Sequence, residues 1–115
     1  MSEQRLPEPK VLTPEQFAAL RRVLDEVEVE RRRQHVKWGE QNHPDGTDDL
    51  FGAARDKARA QCDRAARDGR CTWQHIAREE FFEALTETGR EDLRGELVQL
   101  AAVVVAWIEA IDRRI

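Results

Sequence analysis

Two short stretches of this chain carry residues whose types and spacing suit cation chemistry. Glu80 and Glu83 lie three apart, the spacing that projects two side chains from one face of a helix. Glu79 is beside them and Glu87 one turn further on. Glu96 and Gln99 repeat the spacing of three, and Glu96 stands thirteen positions beyond Glu83 with Gly89 between. An antiparallel hairpin turning at Gly89 brings the two pairs face to face. Carboxylates that converge from facing helices make a site for a hard cation. Mg²⁺ accepts a few carboxylates and shares its other positions with water and phosphate oxygens. The plainer reading is a solvated acidic helix face, with Glu96 an ordinary first-turn acid favoured by the helix dipole. Against it, Glu80 and Glu83 interleave with Ile76, Phe81 and Phe82, which draws a carboxylate toward the core, where it needs a partner.

The elements that must position these residues are helices. Thr13-Pro14-Glu15-Gln16 is a helix start: Thr caps, Pro takes the first helical position, and Gln16 completes a capping box. Phe17, Leu20, Val23, Leu24, Val27 and Val36 then recur at helical spacing, which predicts a helix over 13–38. Residues 39–50 form the one real loop, with a Pro44-Asp45-Gly46 turn. Asp48 or Asp49 caps a second helix over 50–67, whose stripe of Phe51, Ala54, Ala58, Cys62 and Ala65 is thin. Thr72 caps a third over 73–88, with Trp73, Ile76, Ala77, Phe81, Ala84 and Leu85 as its inner face. Gly89 stops it, and a fourth helix runs over 91–115. The expected fold is an all-α four-helix bundle: a single helical domain over 13–115 behind a flexible arm over 1–12.

Composition narrows the function classes. The chain has 115 residues, 37% of them charged, and 19 basic against 23 acidic residues give a net charge of −4. A nucleic-acid-binding domain would show a basic stripe, so no nucleic-acid partner is expected. The longest apolar run, Leu100 to Ile108, is about half a membrane span, so no membrane is expected either. Cys62 and Cys71 fit no zinc or redox spacing and read as reduced thiols of a cytoplasmic protein. The fourth helix is apolar on every side between Leu100 and Ile108 and must be covered all round. Three partner helices, one of them Ala-faced, leave part of it for another subunit, hence a homodimer or homotetramer.

The stretches REEFFEAL and LRGELVQLAAVVVAWIEAI resemble the MazG-like all-α nucleoside triphosphate pyrophosphohydrolases, as do KWGEQNHPDG and TWQHIAREE. The resemblance covers about residues 30–112. The mark of that superfamily is E-x-x-E on one helix and E-x-x-D on the next, around Mg²⁺. Glu80, Glu83 and Glu96 match it, and Gln99 stands where the family has Asp. An amide is neutral and offers a metal only its carbonyl oxygen, which weakens the site and counts against a second ion. The resemblance implies that a nucleoside triphosphate is split into the monophosphate and pyrophosphate. Mg²⁺, or Mn²⁺, would be held by Glu80, Glu83, Glu96 and Gln99. Glu79 or Glu83 would handle the attacking water, and Lys57, Arg59 or Lys37 would meet the phosphates. Base recognition would fall to the first helix and the loop after it, through Gln34, His35, Trp38, Gln41 and Asn42.

Several of these residues have ordinary readings. Trp38 reads first as a packing residue, as do Trp73 and Trp107. Lys57 and Arg59 read as surface residues, and the Arg31-Arg32-Arg33 run as a solvated face paired with Glu28 and Glu30. His75 and Glu79 share a face at a spacing used by zinc helices, but no further ligands follow. Two other functions stand beside the enzyme. One is a non-catalytic MazG-like module that binds a nucleotide or a protein; the other is a structural helical oligomer with unrelated glutamates.

Overall fold

The computed structural model describes residues 11–114. In chain order they form α1 (Pro14–Trp38), a 3-10 turn (Asp49–Phe51), α2 (Gly52–Arg67), α3 (Trp73–Thr86) and α4 (Arg90–Asp112). No strand occurs among the described residues, so the fold is all-α, as the helical periodicities predict. Of the expected arm, residues 1–10 lie outside the described residues, and Val11 and Leu12 are exposed.

The helix boundaries follow their caps. The Thr13 hydroxyl accepts from the Gln16 N–H at 3.1 Å and the Gln16 side chain from the Thr13 N–H at 2.9 Å, with Pro14 opening α1. The second helix starts later than expected, at Gly52. Asp48 caps the 3-10 turn instead, its carboxylate accepting from the Leu50 N–H at 2.8 Å. The Asp48 N–H donates to the Leu85 carbonyl at 2.9 Å. That bond ties the end of the loop to the last turn of α3. Gly69, at φ 70°, closes α2, a left-handed conformation that costs glycine little. α3 ends at Thr86, short of the expected Thr88, because Glu87 turns to extended backbone. The last helix ends at Asp112.

The chain divides into two compact units, residues 46–104 and residues 11–45 with 105–114 in the described part. In the first, α2 packs on α3. Its buried apolar residues are small for the most part: Ala58, Cys62, Ala65, Ala84, Leu93 and Val103. The thin stripe expected on α2 is therefore its inner face. The inner face expected for α3 is wrong in its centre. Phe81 is 47% exposed, while Glu79, Glu80 and Glu83 are buried together with Ala84. Small side chains on α2 let the helices approach closely, and the space beside them is filled by carboxylates rather than rings.

In the second unit, Val23 is the buried residue of α1. Phe17, Val27 and Val36, expected on an inward stripe, are exposed, Val36 by 88%. Trp38, read first as a packing residue, is also exposed, by 60%. α1 instead carries pairs along its surface: Arg21 with Asp25 at 3.3 Å, Arg32 with Glu28 at 3.3 Å and Arg33 with Glu30 at 3.5 Å. The last two bear out the solvated reading of the arginine run, and such pairs support an exposed helix modestly. Between Leu100 and Ile108, Val103 is buried, but Ala101, Ala102 and Val104 are exposed. Among the described residues no helix is long and apolar enough to cross a membrane.

Candidate metal centre

Three carboxylates gather where the spacing of three on two helices directs them. One oxygen each from Glu80, Glu83 and Glu96 lies within 4.8 Å of the others. All three belong to the first unit, two on α3 and one on α4. Glu80 and Glu83 are buried, at 1% and 3% exposure, and Glu96 is half-buried. Glu80 Oε2, Glu83 Oε2 and Glu96 Oε2 are buried atoms that accept no hydrogen bond. Buried polar atoms in folded proteins are nearly always satisfied. Each residue of the cluster thus keeps one orphaned oxygen as a donor for a group bound among them.

The electrostatics agree. Burial is the largest influence on Glu80, followed by the charges of Glu83 and Glu96, and together they push its carboxyl up to about 7. Glu96 is also raised, by burial first and then by Glu83 and Glu87, with Arg59 acting in the opposite direction. Packed carboxylates repel and resist ionisation. A divalent cation removes that strain, and the all-oxygen donor set suits Mg²⁺ or Mn²⁺. The spread of the oxygens is close to the width of a Mg²⁺ coordination shell, about 4.2 Å from one oxygen to the opposite one. The residues present thus fit a hard divalent ion.

Two of the residues named from the sequence stand beside this cluster. Arg59, on α2, is partly buried, and its Nη2 donates to Glu83 Oε1 at 3.2 Å. Its position on the flank of the Ala58, Cys62 and Ala65 stripe is the one signal that it turns inward. Glu79 is buried too, but the cluster of converging oxygens does not include it. Its carboxylate accepts from the Cys62 thiol, and burial, with the Glu79 bond and charge next, pushes that thiol up to about 12.

The remaining candidates disperse. Gln99 is half-buried, one turn beyond Glu96 on α4, and Lys57 is exposed on α2. Lys57 sits about 200° around the helix from Arg59. In the second unit, Gln34, His35 and Gln41 line one polar cleft of about 580 Å³ with Arg31, Glu40 and His43. Lys37 lies over the Trp38 ring at 4.9 Å, and Asn42 is exposed. His75 serves as a cap: the Thr72 N–H donates to its Nδ1 at 3.1 Å, and its own N–H donates to the Thr72 hydroxyl at 3.3 Å. That engagement uses Nδ1 in the cap, and among the described residues the one acidic group that could hold a metal does not include His75.

The chain was compared with family models, with curated proteins and with solved structures, and none of them matches. What the site can do follows from its own side chains.

Proposed function

We propose that the chain is a MazG-like nucleotide pyrophosphohydrolase dependent on Mg²⁺ or Mn²⁺. The carrying observation is the convergence of Glu80, Glu83 and Glu96 with three buried, unpartnered oxygens. Glu80, Glu83 and Glu96 hold the ion, and Gln99 offers a neutral carbonyl oxygen in place of a fourth carboxylate. When bound, the ion supplies charge neutralisation at the phosphates of a nucleoside triphosphate. Glu79 or Glu83 accepts the proton of an attacking water; Glu83 does so once Arg59 has released its Oε1, because a bound guanidinium lowers the basicity of that oxygen. Glu79, buried next to Glu80 on α3, adds its charge to that of the cluster.

The test is pyrophosphate release from canonical and modified nucleoside triphosphates with Mg²⁺ and with Mn²⁺. Turnover that falls at least about a hundredfold in Glu80→Gln supports the reading. Turnover that is unchanged in that variant sinks it. One observation favours a second reading. Gln99 lacks the charge that the family places there, which suits a module that binds metal and nucleotide without hydrolysis. Metal-dependent nucleotide binding by calorimetry, with no pyrophosphate released, is its signature.

We read the assembly as a homodimer or homotetramer. The support is the exposed apolar series Leu97, Val98 and Val104 on α4, with Val98 55% exposed. A strictly monomeric mass by light scattering at micromolar concentration would overturn this.

A further inference from the structure

We infer that Arg59 is the resident counter-ion of Glu83: it competes with a divalent cation for that carboxylate and, once displaced, takes a phosphate of the ligand. This rests on the metal-centre reading above. Arg59 Nη2 sits 3.2 Å from Glu83 Oε1, while Glu83 Oε2 lacks a partner and belongs to a residue only 3% exposed. One carboxylate of the cluster thus holds a guanidinium with one oxygen and keeps the other without a partner. Arg59 already brings one positive charge to the cluster.

A divalent ion and a guanidinium on Glu83 share one carboxylate charge and repel each other, so each weakens the other's hold. Arrival of the ion weakens the hold of Glu83 on Arg59. The guanidinium is planar, always charged and shaped to take two oxygens of a phosphate. Its side chain is a quarter exposed, so it has room to turn from a carboxylate to an anion beside it. The two cations then divide the work: the ion takes the carboxylates, and Arg59 takes phosphate. Metal and phosphate binding are coupled through one side chain, and the coupling is reciprocal.

The opposing signs of two affinities test this. Mn²⁺ binding to the full chain is measured by calorimetry for wild type, Arg59→Met and Arg59→Gln, with Arg64→Met as a control of equal charge change on the exposed part of α2. Folding of each variant is checked by circular dichroism. Removing the competitor tightens Mn²⁺ binding roughly tenfold, within the usual range of site-to-site coupling, and the control changes it much less. With Mn²⁺ saturating, inorganic pyrophosphate binds roughly tenfold more weakly to both Arg59 variants. Unchanged or weaker Mn²⁺ binding in the folded Arg59 variants overturns the role of Arg59 but leaves the metal centre standing. Mn²⁺ binding by neither wild type nor variants overturns the metal centre itself. A measurement on the wild type alone guards against variants that do not fold: the Arg59 Nε–Hε resonance must move when Mg²⁺ is added. A resonance unmoved at saturating Mg²⁺ overturns the displacement.

Discussion

Glu80 and Phe81 are neighbours on α3 with inverted burial: the carboxylate is 1% exposed and the phenyl ring 47%. Phe81 touches Phe82 in a tilted contact at 5.7 Å between ring centres, yet much of its surface stays in water. Phe81→Ala should therefore cost about 1 kcal/mol or less, well below the 3–5 kcal/mol typical of a core phenylalanine. Glu80→Gln should stabilise the metal-free protein at pH 8, because the amide fills the same space without a buried charge. Urea unfolding of the two variants checks both signs. A large loss in Phe81→Ala would mean that its face is covered in solution, as an oligomer would cover it.

The pH dependence has a definite direction. The Glu80 carboxyl is raised from 4.5 to about 7 by burial first and then by Glu83 and Glu96. Between those values the folded chain holds a proton that the unfolded chain has released. The stability from neutral Glu80 is complete below pH 4.5 and is lost as pH rises through 7. In chelator, the midpoint of thermal unfolding should fall by several degrees from pH 5.5 to pH 8, a loss of roughly 2 kcal/mol from this group. Glu80→Gln should flatten that slope. Millimolar Mg²⁺ should raise the midpoint at pH 8 and much less at pH 5.5, where protons occupy the carboxylates.

Gln99→Asp tests the fourth position of the site. Gln99 lies one turn beyond Glu96 on the same helix and is half-buried. A fourth carboxylate there should tighten Mn²⁺ binding roughly tenfold. It should also lower the stability of the metal-free chain, because one more negative charge joins a crowded cluster. Calorimetry and thermal unfolding in chelator read the two effects, and unchanged metal affinity would place Gln99 outside the ion's reach.

The two cysteines should react very differently. The Cys62 thiol is buried and pushed up to about 12 by burial and by Glu79, while Cys71 is exposed. The thiolate is the reactive form. A disulfide reagent at neutral pH should label one thiol quickly in the native protein, and Cys71→Ser should abolish that phase. Cys62 should react only once the chain unfolds. Two equally fast phases in native protein would contradict its burial beside Glu79.

Much of the secondary structure is legible locally. The Thr13 and Thr72 caps and the Gly69 stop act through bonds within a few residues, so the helices could be read from the chain. The spacing of Glu80, Glu83 and Glu96 is legible for the same reason, since helical geometry turns positions into faces. The failures concern which face is covered. Phe81, Val27 and Val36 have the type and spacing of core residues, and no local rule tells them that these positions stay exposed.

Sequence by itself determined the helices, the Thr13 and Thr72 caps and the pairing of acids at i and i+3, because these depend on backbone geometry and near neighbours. Only the tertiary structure decided that carboxylates, and not rings, occupy the interior of α3, and that Arg59 from α2 meets Glu83. Burial and charge pairing across helices depend on the approach of residues far apart in the chain. The small Ala58, Cys62 and Ala65 face of α2 permits that approach but does not announce what fills it.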